Sequence, residues 1–227
     1  MPKPTFFRLP EAKQKRLMDA ANKEFARAPF NDASISHIIK DAGIPRGSYY
    51  QYFDDKADLY FYLLEQVRHR AVAALQQVMA KHHGDLFAAM SEFFGLTIDA
   101  LVQGPHAALY RNVFLHMDFH SASKMAGSPL AERPRGHHEI HQYLLANIDR
   151  RQLRIKSDDD VSLLIRQIVG MFMQTIGYFY SRQTKGKEVT VAELKQRTNQ
   201  ILDWLQYGVA SDCLLYTSDA ADEGLGV

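Results

Sequence analysis

The sequence predicts an all-α protein of about nine helices: a small N-terminal helical unit over residues 1–55, a larger helical domain over 56–210, and a tail, 211–227, that belongs to neither. Three observations carry this. Apolar residues return with a period near 3.6, and no stretch of any length alternates apolar and polar in the manner of a half-buried strand. Capping residues, glycines and prolines bracket the periodic stretches at the places where helices start and stop. The 227 residues, 46% of them hydrophobic, contain no repeat or low-complexity block and suffice for folded cores.

In chain order, Pro10 opens the first helix, on which Leu17, Ala20, Ala21 and Phe25 form one apolar stripe, and Pro29 lies beyond its end. Ser34 is placed to cap the second helix, where Ile35, Ile38, Ile39 and Ala42 share a face and Gly43 supplies the stop. The third is short, from about Arg46 to Phe53. Asp54 and Asp55 can cap a long fourth helix running to about His82, roughly 40 Å at 1.5 Å per residue. The fifth begins near Asp85 and stops at Gly104-Pro105, and the sixth spans about His106 to His120. A loop-like stretch from Ser121 to Arg135 precedes the seventh, about Gly136 to Arg150. Ser157 with three aspartates opens the eighth, and Thr190 with Glu193 forms a capping box for the ninth.

Residues 33–59 contain the chemistry. A short helix, a glycine turn and a second short helix make a helix-turn-helix, a unit that lays its second helix in the major groove of DNA. With Tyr49 and Phe53 turned to the core, Gly47 and Gln51 face farthest outward, flanked by Ser48 and Tyr50. Glycine permits close backbone approach, the Gln51 amide matches adenine N6 and N7, and Arg46 can reach guanine or phosphate. Base reading is thus expected of Arg46, Gly47, Ser48 and Gln51, and phosphate contact of Ser34, Ser36, Tyr50, Tyr52 and Lys56. Residues 1–56 carry ten Lys/Arg against seven Asp/Glu, a local excess of three positives in a chain whose net charge is +1. Any polyanionic partner must therefore be met by a patch rather than by the molecule as a whole.

Ile38, Ala42-Gly43-Ile44, Gly47, Tyr50, Phe53 and Lys56 occur at the spacings of the tetracycline-repressor (TetR) family, which the chain resembles in detail over about residues 10–62. Tyr49 departs from the Leu or Phe common at that place, so its hydroxyl needs a partner or an outlet. The resemblance implies a repressor that binds a palindromic operator in double-stranded DNA as a homodimer and is released by a small apolar or amphipathic inducer, with no cofactor. It also implies a four-helix dimer interface made by the last two helices. The eighth is apolar almost all round, as burial on two sides requires, and Gly170 and Gly177 on one face would allow close helix approach. Expected interface residues are Ile165, Val169, Phe172, Ile176, Ile201 and Leu205. Phe93, Phe94, Phe114, Met117, Met171 and Tyr178 are the large, adaptable side chains expected around the ligand cavity, although any core holds such residues.

Other classes fare poorly. No Gly-rich phosphate loop, Gly-x-Ser-x-Gly elbow or His-Glu-x-x-His is present, so the sequence does not read as an enzyme. Neither a signal peptide nor a membrane span is visible, and Cys213, the one cysteine, fits a reducing cytoplasm. His116 with His120, and His137 with His141, are i, i+4 pairs that could chelate an ion, leaving a metal-responsive regulator as an alternative beside a helical dimer without DNA binding. No metal site is assigned. Residues 213–218 back-translate to TGT CTC TTA TAC ACA TCT, which resembles a transposon-end adapter used to prepare sequencing libraries. The tail is therefore expected to be non-native or disordered.

Overall fold

The computed structural model describes residues 2–116 and 135–209. Ten α-helices and one 3₁₀ turn make up the described residues: α1 Pro4–Phe7, α2 Glu11–Arg27, α3 Ile35–Ala42, α4 Arg46–Tyr52, α5 Lys56–Lys81, α6 Leu86–Val102, α7 Ala107–His116, α8 Arg135–Asn147, α9 Asp158–Thr184 and α10 Val191–Tyr207. No strand occurs among them. The helix beyond those expected is α1, a single turn opened by Pro4; a proline at a first helical position followed by Phe6 and Phe7 is its signal.

Most helix ends are where local chemistry puts them. Asp55, Asp85, Ser157 and Thr190 each accept a backbone N–H three residues on, and Thr190 with Glu193 completes the capping box. Gly43, at φ 64°, closes α3 with the N–H of Gly43 on Lys40 and that of Ile44 on Ile39, a Schellman arrangement. Ser34 is a correction. It holds the cap position of α3, but its side chain makes no capping bond, and its backbone N–H is instead taken by Glu24 Oε1 of α2 at 2.8 Å.

Two hydrophobic clusters organise the chain. Phe6, Leu17, Phe25, Ile38, Tyr49 and Phe53 form the first, which also takes Leu59, Tyr60 and Leu63 from the start of α5 and Leu109 from α7. The second gathers α6, α8, α9, α10 and the far half of α5, which contributes Leu75, Val78 and Met79. The long α5 therefore belongs to both cores, and their division falls within it rather than at residue 55. α7 also joins them: Leu109 is buried in the first cluster, Asn112 Nδ2 donates to the carbonyls of Phe25 and Ala26 at the end of α2 (2.8 and 3.0 Å), and Phe114 stacks on Tyr180 of α9. Among the described residues no single helix is long and apolar enough to cross a membrane.

Tertiary packing reassigns part of the last two helices. Ile165, Phe172 and Ile176, expected at a subunit interface, are buried within the chain's own second core, where Phe172 stacks on Phe94 with ring centroids 4.1 Å apart. Val169 and Leu205 are exposed, and Ile201 is half-buried. The outward face of α9 and α10 instead carries Leu163, Met173, Tyr178 and Trp204, each at least 37% exposed. On the same face, a Cβ added at Gly170 or Gly177 would meet nothing within 4 Å. The periodicity located the apolar residues correctly but could not say which side of an all-round apolar helix faces home.

Candidate nucleic-acid interface

The head unit rests on a buried carboxylate. Glu24 lies on the inner face of α2, only 4% exposed, and receives Arg27 through Nε and Nη2 (2.8 and 2.6 Å), the Ser34 N–H, and a contact of 3.2 Å from His37 Nδ1. These donors, the Arg27 guanidinium foremost, hold its carboxyl down at about 2. Glu24 thus ties the start of α3 to α2 and fixes the first helix of the helix-turn-helix. A carboxylate on an otherwise apolar stripe, three residues before an arginine, was the sequence signal for it.

The turn at Gly43-Ile44-Pro45 then sets α4. Tyr49 and Phe53 are fully buried, whereas Arg46, Gly47, Tyr50 and Gln51 are exposed and Ser48 is half-buried, in accord with the helical wheel. The Tyr49 hydroxyl donates to the Asp55 carbonyl at 2.9 Å, so the departure from an apolar residue has its partner, and burial pushes this phenol well up. At Gly47 an added Cβ would meet nothing of the protein within 4 Å, so the fold itself does not require glycine there. The Arg46 guanidinium lies 5.9 Å from the Tyr50 ring centroid, and both side chains face outward.

Around this face, Ser36 is exposed on the first turn of α3, and Ser34 is half-buried with its hydroxyl uncommitted to capping. Lys56 is half-buried at the start of α5: its ammonium donates to the carbonyls of Asn31 and Ala33 (3.0 and 2.8 Å) and sits 4.9 Å from the Phe30 ring centroid. Desolvation lowers it from the usual lysine value. Two of its three N–H donors thereby pin the loop before α3, a structural duty the sequence did not reveal. The Tyr52 ring is likewise half-buried, edge-on to Phe6.

In the second domain, Phe93, Phe94, Phe114 and Met171 gather on one core, whereas Tyr178 faces outward between Arg182 and Arg197. Met117 lies outside the described residues. A cleft of about 270 Å³ opens between the start of α6 and the end of α10, lined by Asp85, Ser91, Asn199, Asp203 and Tyr207 among others, and by none of the expected cavity residues. No group of three or more His, Cys, Asp or Glu among the described residues is placed to hold a metal ion. His120 lies outside the described residues, as do the side chains of His116 and His137, and so does the tail with Cys213.

A short exposed helix, set by a glycine turn on a preceding helix and carried by a larger helical domain, defines a helix-turn-helix regulator of transcription. The comparisons make this specific. The pattern of bacterial regulatory proteins of the tetR family matches residues 17–63, and that of the tetracyclin repressor-like C-terminal domain matches residues 85–209. The chain belongs to the TetR family of transcriptional regulators. It is 28% identical over 90 residues to an HTH-type transcriptional regulator of Staphylococcus aureus, covering 40% of this chain and 46% of that one. It is 35% identical over 71 residues to the HTH-type regulator YdgC of Bacillus subtilis, covering 31% and 36%. The chain thus spans less than half the length of these curated relatives. Among solved structures it is similar to the transcriptional regulator FadR of Bacillus subtilis in complex with stearoyl-CoA (TM-score 0.65, 19% identity, 86% of this chain and 99% of that one). It is also similar to a TetR-family regulator of Chloroflexus aurantiacus (TM-score 0.55, 25% identity, 92% and 98%).

Proposed function

We propose that this protein is a ligand-responsive repressor that binds a palindromic operator as a two-fold dimer and releases it when a small apolar or amphipathic molecule enters the second domain. The observation that carries the DNA half is the outward face of α4. Arg46, Gly47 and Gln51 are exposed together, and the space above Gly47 is open to a groove wall. Ser34, Ser36, Tyr50, Tyr52 and the remaining Lys56 donor are assigned to phosphates, which fix register without reading sequence. Two copies of α4 related by a two-fold axis read half-sites about one helical turn apart. A regulator of this kind works in the compartment that holds the DNA.

The dimer surface we assign is the exposed apolar strip of α9 and α10: Leu163, Val169, Met173, Tyr178, Trp204 and Leu205, with Gly170 and Gly177 admitting a close neighbour. Such a strip is costly to leave in water and fits a second copy. For the ligand, the aromatic and methionine side chains around Phe93, Phe94, Phe114 and Met171 favour an apolar chain. The fold shared with a stearoyl-CoA complex makes that thioester the first probe. Phe114 on Tyr180, with Asn112 on α2, offers a path by which a ligand shifts the head, moving a population between two dimer geometries.

Selection from random duplex tests the reading. Full-length protein is expected to enrich one palindrome and bind it at least about a hundredfold more tightly than random duplex at moderate salt, and stearoyl-CoA is expected to release it. Enrichment of no palindrome would overturn the DNA half. Enrichment without release by stearoyl-CoA, acyl chains of other lengths or free fatty acids would overturn the amphipathic inducer.

A further inference from the structure

The residues ahead of the first long helix contact the end of α4. Helix α4 has seven residues, too few to sustain itself in water, so its orientation is set by what holds its ends. Its N-terminus has no side-chain cap. A helix end leaves its last four carbonyls without intrahelical partners; here that of Tyr49 accepts the Phe53 N–H, and the other three are met from residues 3–5. Lys3 Nζ donates to the Tyr50 carbonyl at 2.9 Å, the Thr5 hydroxyl donates to that of Gln51, and the Lys3 backbone N–H donates to that of Tyr52 at 2.8 Å. The Lys3 ammonium is braced by Asp54 Oδ1 at 2.6 Å and lies where the helix dipole is negative. Phe6 anchors the segment: it is 1% exposed, with ring centroids 5.2 Å from Phe53 and 5.5 Å from Tyr62.

From this geometry we infer that Lys3 and Thr5 are positioning residues for operator recognition: they clamp the C-terminal turn of α4 by its carbonyls and so hold the Tyr50 and Gln51 side chains at the angle that DNA reading needs. The inference rests on the DNA reading proposed above. Gln51 is central to it, because Thr5 grips the backbone of the residue whose side chain is assigned to the bases. A looser α4 still carries its charges to the phosphates but averages over several side-chain directions, which weakens base readout first.

The test uses the full chain with Lys3→Met and Thr5→Val, singly and together, and the palindrome selected by the unaltered protein. Thr5→Val removes one hydroxyl at an exposed site, so folding is preserved; helical content and oligomeric state check this. The double variant is expected to lose about tenfold in affinity for the palindrome, as two hydrogen bonds predict. Binding to random duplex should stay within about twofold, with the salt dependence unchanged. Lys3→Arg and Thr5→Ser, which keep the donors, should restore the palindrome affinity. Equal losses on palindrome and random duplex, with a salt slope shallower by about one, would make Lys3 a phosphate contact and overturn the clamp. Unchanged palindrome affinity in the double variant would overturn it too. If the unaltered protein selects no palindrome, the DNA reading and the clamp fall together, whereas selection followed by variant behaviour identical to the parent removes the clamp alone.

Discussion

Gly47 separates what the fold needs from what the proposed DNA reading needs. It is the second residue of α4, without a positive φ and with open space where a methyl would go. Alanine in a helix is better than glycine by roughly 0.5 to 1 kcal/mol, the lower end applying in the first turn. Gly47→Ala should therefore stabilise the protein by about that amount in denaturant unfolding while weakening palindrome binding by roughly tenfold or more, because the methyl meets the groove. A variant that gains stability and keeps full affinity would remove Gly47 from the interface. Glu24 is the opposite case, a residue that recognition never touches but the head depends on. Its carboxyl titrates near 2 in the folded protein against 4.5 when unperturbed. Its contribution is therefore complete above pH 4.5 and lost as pH falls through 2, on the order of 2 kcal/mol once the half-exposed Arg27 is allowed for. Unfolding midpoints between pH 6 and 2.5 should fall for the parent, and for Glu24→Gln should start lower and fall less. A variant that tracks the parent through that window would put the acid sensitivity elsewhere.

At the scale of elements, joints matter more than helices. Gly84, between α5 and α6, has φ 82°, and a Cβ there would come within 2.6 Å of the Asn147 carbonyl oxygen and 2.8 Å of the Asp149 nitrogen. Its own carbonyl accepts the Asp149 N–H at 2.9 Å, which docks the end of α8 on the α5–α6 corner. Gly84→Ala combines a left-handed backbone with a backbone clash, so a loss of about 2 to 4 kcal/mol is expected in chemical denaturation, far more than for Gly186→Ala, which shares the left-handed angle but has open space. Comparable losses at the two sites would show that strain alone, and not the docking of α8, limits the corner. The joint was invisible in the sequence, because the residues that crowd Gly84 are more than sixty positions away.

For the molecule as a whole, the exposed strip on α9 and α10 makes a spectroscopic prediction. Trp204 is the protein's one tryptophan and is 49% exposed. If a second copy covers it, its emission should lie at short wavelength in the dimer and shift red on dilution. Met173→Asp, which places a charge in the middle of the strip, should give a monomer with red-shifted emission at every concentration and lost palindrome binding. Sedimentation read alongside decides the matter: a dimer that persists in Met173→Asp, or splits without moving the emission, would place the interface on another face.

Periodicity, capping residues and the Gly43 stop determined the helices, and the spacing from Ile38 to Lys56 determined the helix-turn-helix and its outward face, because these depend on residues within a few positions of one another. The apolar character of α9 was equally legible. Only the tertiary structure decided which of its sides is inside, placing Ile165, Phe172 and Ile176 in the core and Met173 and Tyr178 outside. It alone showed the bonds that Glu24, Lys56, Lys3 and Thr5 make, and it alone joined the two cores through α5 and α7. The reason is physical: helix formation and capping are local, whereas burial and hydrogen bonding across distant segments depend on which surfaces meet, and a pattern of 3.6 residues contains no record of its neighbours.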